Sequence, residues 1–138
     1  MTKTALYEFI SRHPLAVLGT ASLAGEPEGA LMRIVVTPDL EIFFDTRTNT
    51  RKYRNIAANP ACSFVIGCTG PASVQYEGTL APAIGDELSR LKALYFAAAP
   101  EARERESWPD VAYLVARPQW IRYGDYSRQP PEIAEFTF

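Results

Sequence analysis

The segment Thr46-Arg47-Thr48-Asn49-Thr50-Arg51-Lys52-Tyr53-Arg54 sets four cations and no carboxylate where a helix is expected to begin. The unpaired N–H groups of a first helical turn carry partial positive charge, so Asp and Glu are favoured there and cations are mildly repelled. A bound anion reverses that sign. Thr48, Asn49 and Thr50 can cap the helix or donate hydroxyls, and the strand-like Ile42-Phe43-Phe44-Asp45 leads straight into them. Strand, polar turn and helix N-terminus in succession suit a phosphate group. The competing reading is a solvated basic face that happens to fall early in a helix. A second cation bears on the choice. Arg33 stands in Ala30-Leu31-Met32-Arg33-Ile34-Val35-Val36, and a lone Arg in so apolar a run needs a partner or an escape to water. Either its stem packs on an edge strand while its head reaches solvent, or it lies near the helix start and joins Arg51 and Lys52 on one phosphate. An Arg fork beside a Lys point charge suits a dianionic phosphomonoester.

Other chemistries find little support. The one histidine, His13, adjoins Pro14, and no Cys or His pair has metal-ligand spacing, so neither a metal site nor a His-based nucleophile triad is expected. Cys62 and Cys68 lie on one face of a strand-like segment and are separated by roughly 20 Å of extended chain. A disulfide between them would need Cα atoms about 4.4–6.8 Å apart, so two small buried hydrophobes are the expectation. The formal charge of −2 and pI near 5.4 argue against a general nucleic-acid binder. The basic cluster therefore reads as local.

The elements that must position these residues fit one domain, residues 1–138, with one real core. With 47% apolar and 22% charged residues the chain is globular, and no apolar run is long enough to span a bilayer as a helix. Met1 to His13 mixes charged and apolar residues without the layout of a signal peptide, so a cytoplasmic location is expected. Leu6, Phe9 and Ile10 fall at helical spacing, predicting a helix over 4–12 that Pro14 ends. Leu15–Ala21 and Glu28–Thr37 flank the turn-rich Ala24-Gly25-Glu26-Pro27 as a hairpin, and Leu40–Asp45 makes a third strand. A helix over 50–58 is stopped by Asn59-Pro60. Strands follow at Ala61–Gly67 and Ser73–Leu80, the latter alternating between apolar and polar sides. Leu88, Leu91, Leu94, Tyr95 and Ala98 stripe a helix over 86–98, opened by Asp86-Glu87 in the usual dipole sense. Pro100–Pro109 reads as a charged loop, Asp110–Arg117 and Gln119–Tyr126 as two strands interrupted by Pro118, and Ser127–Phe138 as a tail. The architecture is mainly β with flanking helices, six or seven antiparallel strands in a closed or partly closed barrel.

In their order and spacing these segments resemble the pyridoxamine 5′-phosphate oxidase-like FMN-binding split barrels. The resemblance runs from the first helix to about Tyr126. It rests on Thr20-Ala-Ser-Leu-Ala-Gly25-Glu-Pro27, Arg33-Ile-Val-Val36, Phe44-Asp-Thr46, Thr50-Arg-Lys52 and Asn59-Pro60, with Thr50 in place of the usual Ser. It implies FMN as cofactor, its phosphate held by Arg33, Thr50, Arg51 and Lys52. Ile34, Val35 and Val36 would line the isoalloxazine ring through their backbone, and Asp45 and Thr46 would lie near the ring and ribityl chain. Gln75 is two residues from the position, here Ser73, at which the oxidases carry a flavin-contacting Gln. Trp120 is on the strand that brings a partner-subunit aromatic to the flavin, though not at the matching position. A homodimer with flavin sites at its interface is implied too. The oxidases' C-terminal Arg-x-His element is missing, so oxidation of vitamin B6 is not expected, and the chain looks more like the shorter, general-stress-protein-like members. An FMN-dependent oxidoreductase of unknown substrate, a flavin-binding protein for storage, sensing or stress protection, and a barrel using deazaflavin or haem are the functions this leaves open.

Overall fold

A computed structural model describes residues 1–138. Helix α1 (Lys3–Ser11) starts where the Thr2 hydroxyl accepts the Ala5 amide at 3.1 Å and buries Leu6, Phe9 and Ile10. Strands β1 (Leu15–Ala21) and β2 (Pro27–Arg33) form the expected hairpin, in register from Leu15 opposite Arg33 to Ala21 opposite Pro27. Gly25 turns it at φ +86°, a conformation that suits glycine. Strand β3 (Val35–Val36) pairs with β4 (Ile42–Arg47), which ends at the polar turn before helix α2 (Arg51–Ala58). Strands β5 (Ala61–Ile66) and β6 (Ala72–Pro82), helix α3 (Gly85–Ala98), the 3₁₀ helix η1 (Pro100–Arg105), and strands β7 (Val111–Asp125) and β8 (Glu132–Thr137) complete the chain. All strand pairs are antiparallel, in the order β2-β1-β5-β6-β7-β4-β3, with β8 on the free part of β7. The sheet curls into a split barrel, and the three α-helices match their expected spans within two residues.

Cys68, expected to be buried, is exposed because β5 ends at Ile66, and the start of the expected loop at Pro100 is the 3₁₀ helix η1. Three differences in the strands have physical causes. The run Glu28–Thr37 is two strands, because the chain changes partner at Ile34, whose amide is taken by the Pro14 carbonyl at 2.8 Å. Met32, Ile34 and Val36 stay buried throughout, so alternation gives no sign of the switch. Pro118 does not divide the last sheet segment: β7 runs through it because the β6 register shifts between Glu77 and Gly78. Gly78 fits that bulge, as a Cβ there would run into the Arg117 carbonyl oxygen. The tail supplies β8, whose Phe136 packs against the core, so the strands number eight rather than six or seven.

Two apolar clusters result. The larger fills the barrel, around Phe44, Phe64, Tyr76 and Ile121. The smaller lies outside it, where Leu91, Tyr95 and Phe96 of α3 cover Phe43 of β4 and Val115 of β7. Strand β4 is thus buried on both faces up to Thr46, with Phe44 and Phe43 in different clusters. Its last residues emerge at the seam between the two clusters.

Candidate functional site: a cationic cleft at the end of β4

At that seam a cleft of about 320 Å³ opens. Its wall brings together Arg33 from β2, Asp45, Thr46 and Arg47 from β4, Thr50 and Lys52 from the start of α2, and Tyr95 and Arg105 from α3 and η1. Four cations thus meet a single carboxylate. Helix α2 adds its own polarity: Thr50 caps it by accepting the Tyr53 amide at 3.3 Å, and its first turn contains no acid. The amides of the first turn are the positive end of the helix dipole.

Several of these groups are already engaged. Asp45 is buried and accepts Arg105 Nε at 2.7 Å, Arg105 Nη2 at 3.0 Å and the Tyr95 hydroxyl at 2.8 Å. These bonds push the Arg105 guanidinium above its ordinary pKa, while burial, reinforced by the Asp45 charge, does the same to the Tyr95 phenol. Arg47 is held by Asp110 at 2.6 and 2.9 Å and lies over the Trp108 ring at 4.8 Å. The Thr50 hydroxyl donates to the Arg47 carbonyl at 2.9 Å. Arg33 donates to Glu101 and to the Ala98 carbonyl.

Other groups are unsatisfied. Thr46 Oγ1 and Arg33 Nε are both buried without a hydrogen-bond partner, and both residues line the cleft. An unpaired buried polar atom costs about 1–3 kcal/mol, so two of them in residues that line one cavity suit a polar ligand. Lys52, half-buried at the same cleft, has no carboxylate partner.

The cleft gathers Arg33, Asp45, Thr46, Thr50 and Lys52 of the residues singled out from sequence. Arg51 is exposed and outside it. Ile34, Val35 and Val36 line a separate apolar cavity of about 220 Å³ between α1 and α3. Gln75 lies in a small hollow with Ser73 and Arg122, on the outer face of the sheet. Trp120 is half-buried on that same face, opposite Glu77. Tyr95 and Arg105 escaped sequence reasoning, since their partner Asp45 is 50 and 60 residues away and nothing local marks the pairing.

Residues 2–125 match the family model described as pyridoxamine 5′-phosphate oxidase. The chain belongs to this family. Three solved structures share its fold. A haem-binding protein from Mycobacterium smegmatis is 20% identical with a TM-score of 0.84, over 99% of this chain and 58% of that one. General Stress Protein 26 from Bacillus anthracis is 20% identical with a TM-score of 0.73, over 97% and 96%. A pyridoxamine 5′-phosphate oxidase-related, FMN-binding protein from Nostoc punctiforme is 13% identical with a TM-score of 0.68, over 99% and 92%. No curated protein matches the sequence. The cleft offers an anion one cation without a carboxylate partner, Lys52, beside three that are ion-paired, a helix N-terminus and two unpartnered polar side-chain atoms. None of the helices is long and apolar enough to cross a membrane.

Proposed function

We propose that the protein binds FMN with its phosphate in the cationic cleft and acts as a flavin-dependent oxidoreductase in the cytoplasm. The observation that carries this reading is the gathering of Arg33, Thr46 and Lys52 around one cleft at the N-terminus of α2, with Arg33 Nε and Thr46 Oγ1 unpartnered and Lys52 without a carboxylate. Arg33, Thr46, Thr50 and Lys52, with the first amides of α2, hold the phosphate, and Arg51 contributes charge from just outside. Bound FMN supplies the hydride or electron transfer, and the protein's part is to fix and polarise it. The ring side of the site needs a second copy of the chain. Leu31, at the cleft mouth, is 68% exposed, and the register continues from it through Val17 and Val65, both exposed, to Gln75. Pairing two such faces would cover this apolar row and bring Gln75 and Trp120 of one protomer towards the flavin of its partner.

Haem is the second reading, supported by the likeness to the Mycobacterium smegmatis protein. Its carboxylates suit the same cations. His13, however, stacks on Phe9 at 4.3 Å between ring centroids, at the end of α1 and outside the cleft, so this chain offers its own cleft no imidazole for iron. A deazaflavin would use the cleft as FMN does. The absorbance spectrum of the purified protein separates flavin, deazaflavin and haem, and a haem spectrum would overturn the FMN reading. Reduction of the bound flavin by a nicotinamide cofactor then distinguishes an oxidoreductase from a flavin-storing or flavin-sensing protein.

A further inference from the structure

Two of the three guanidinium nitrogens of Arg33 are engaged by the connection between α3 and η1. Nη2 donates to the Ala98 carbonyl at 2.8 Å, and Nη1 to Glu101 Oε1 at 2.9 Å. The first bond caps the C-terminus of α3, a favourable place for a cation. The second is of another kind. It brings a carboxylate to a cation of the cleft that Thr46 and Lys52 also line. The Glu101 side chain is 61% exposed and has no other ion-pair partner, so solvent keeps its hold on Arg33 weak. Further along η1, Arg105 fastens that helix to buried Asp45. Glu101 can therefore swing away by rotating its side chain while η1 stays in place.

We propose that Glu101 sets the anion specificity of the cleft by competing for Arg33, acting as a tethered carboxylate that a ligand must displace to engage Arg33. This rests on the phosphate-site reading and adds a selectivity to it. A carboxylate held on the same chain acts at an effective concentration on the order of millimolar, which a free carboxylate ligand has to exceed. A phosphomonoester carries close to two charges at neutral pH and three strong acceptor oxygens, and it can engage Arg33, Lys52 and the α2 amides together. A phosphate keeps its contacts to Lys52 and the α2 amides even while Glu101 holds Arg33, whereas a carboxylate that depends on Arg33 must displace Glu101 to bind, so Glu101 costs a carboxylate ligand more than a phosphate ligand. The ligand class so selected is a phosphate monoester.

The test titrates FMN and riboflavin against wild type, Glu101→Gln, Arg33→Ala and the double variant. Glu101→Gln keeps the shape of the side chain at an exposed position, and thermal melting checks its fold. The expected result is FMN binding about two- to fivefold tighter in Glu101→Gln, the range of an exposed ion pair, with riboflavin unchanged. The gain disappears in the Arg33→Ala background, because the competition requires Arg33. Acetate at tens of millimolar, as a probe carboxylate, competes with FMN better in Glu101→Gln than in wild type. Unchanged or weaker FMN binding in Glu101→Gln, with Arg33→Ala still weakened, overturns the role of Glu101 and leaves the phosphate site standing. An equal gain for riboflavin also overturns it, since that marks a general opening of the cleft. FMN affinity indifferent to both Arg33→Ala and Lys52→Ala removes the phosphate site, and the proposal with it.

Discussion

Lys52 and Arg51 are adjacent, carry the same charge and start the same helix, yet on the proposed phosphate site their positions predict opposite weights in anion binding. Lys52 lines the cleft, half-buried and without a carboxylate partner, whereas Arg51 is exposed and outside it. A hydrogen bond to a charged group is worth about 1.5–3 kcal/mol, so Lys52→Ala should weaken FMN binding by roughly ten- to a hundredfold. Arg51, exposed and outside the cleft, would act on the phosphate through solvent, where charges are screened over about 8 Å at physiological salt. Its removal should cost about twofold or less, and it relieves the start of α2 of one misplaced cation. Fluorescence quenching gives both constants, and riboflavin, which lacks the phosphate, should bind weakly and respond to neither change. Raising the salt concentration should shrink the Arg51 effect first. If Arg51→Ala weakens FMN as much as Lys52→Ala does, the geometry of the cleft is not what selects the phosphate-binding cation. If neither change matters, the basic run is a solvated face.

Asp45→Asn should leave Arg105 and Tyr95 without their shared charge; a broken buried pair costs about 3–5 kcal/mol, and because Arg105 is partly solvated the loss should be nearer 2–3, a fall of about 6–12 °C in Tm. A calorimetric Tm within about 2 °C of wild type would show that the clamp contributes little to stability. Burial pushes the Cys62 thiol up to about 12 from its ordinary 9.0. The folded state therefore holds this proton more tightly than the unfolded one, and the associated stability, fully present below pH 9.0, should fall as pH rises from there towards about 12. Under native conditions at pH 8 a thiol reagent should label exposed Cys68 and spare Cys62, with both reacting in denaturant; rapid native labelling of both would contradict the burial. Leu31→Asp places a charge in the exposed row of the outer face and should turn a dimer into a monomer by light scattering, with weaker FMN binding; a dimer that persists would locate the interface elsewhere.

What could be read from the sequence follows from the range of the signals. Helical and strand periodicity are local, and the three α-helices and the β1–β2 hairpin were found on them. The switch of partner at Ile34 and the addition of β8 are decided by which strand lies alongside, and no local pattern reports that. Prolines also mislead in a particular way. Pro118 reads as an interruption because it cannot donate to a ladder, but a bulge that leaves Gln119 of β7 unpaired, opposite the Glu77–Gly78 step of β6, absorbs it. The cationic run announced the cleft because four like charges near a helix start are visible in one dimension. Its closing elements, Tyr95 and Arg105, are not visible there.

Asp45 illustrates how that hidden part alters a functional assignment. By its position in the motif it belongs beside a flavin ring, but both its oxygens are spent on Arg105 and Tyr95. Its side chain points to the α3 side of β4, with Phe43, while Thr46 next along the strand takes the opposite side. The alternation of a single strand therefore divides the work. Asp45 ties η1 and α3 down over the outer cluster, building the cleft wall. Thr46 is left with a buried hydroxyl that nothing in the chain satisfies. A wall fastened in this way also holds Arg33, through the Ala98 carbonyl and Glu101, before any ligand arrives, and such preorganisation lowers the ordering cost of binding. On this account Asp45→Asn should weaken FMN binding even though Asp45 touches no phosphate. It should do so with a fall in Tm, whereas Lys52→Ala should weaken binding with the Tm of the ligand-free protein unchanged. Melting curves recorded without FMN, set beside the binding constants of the two variants, test that division; loss of affinity in Asp45→Asn without loss of stability would instead place Asp45 in direct contact with the ligand.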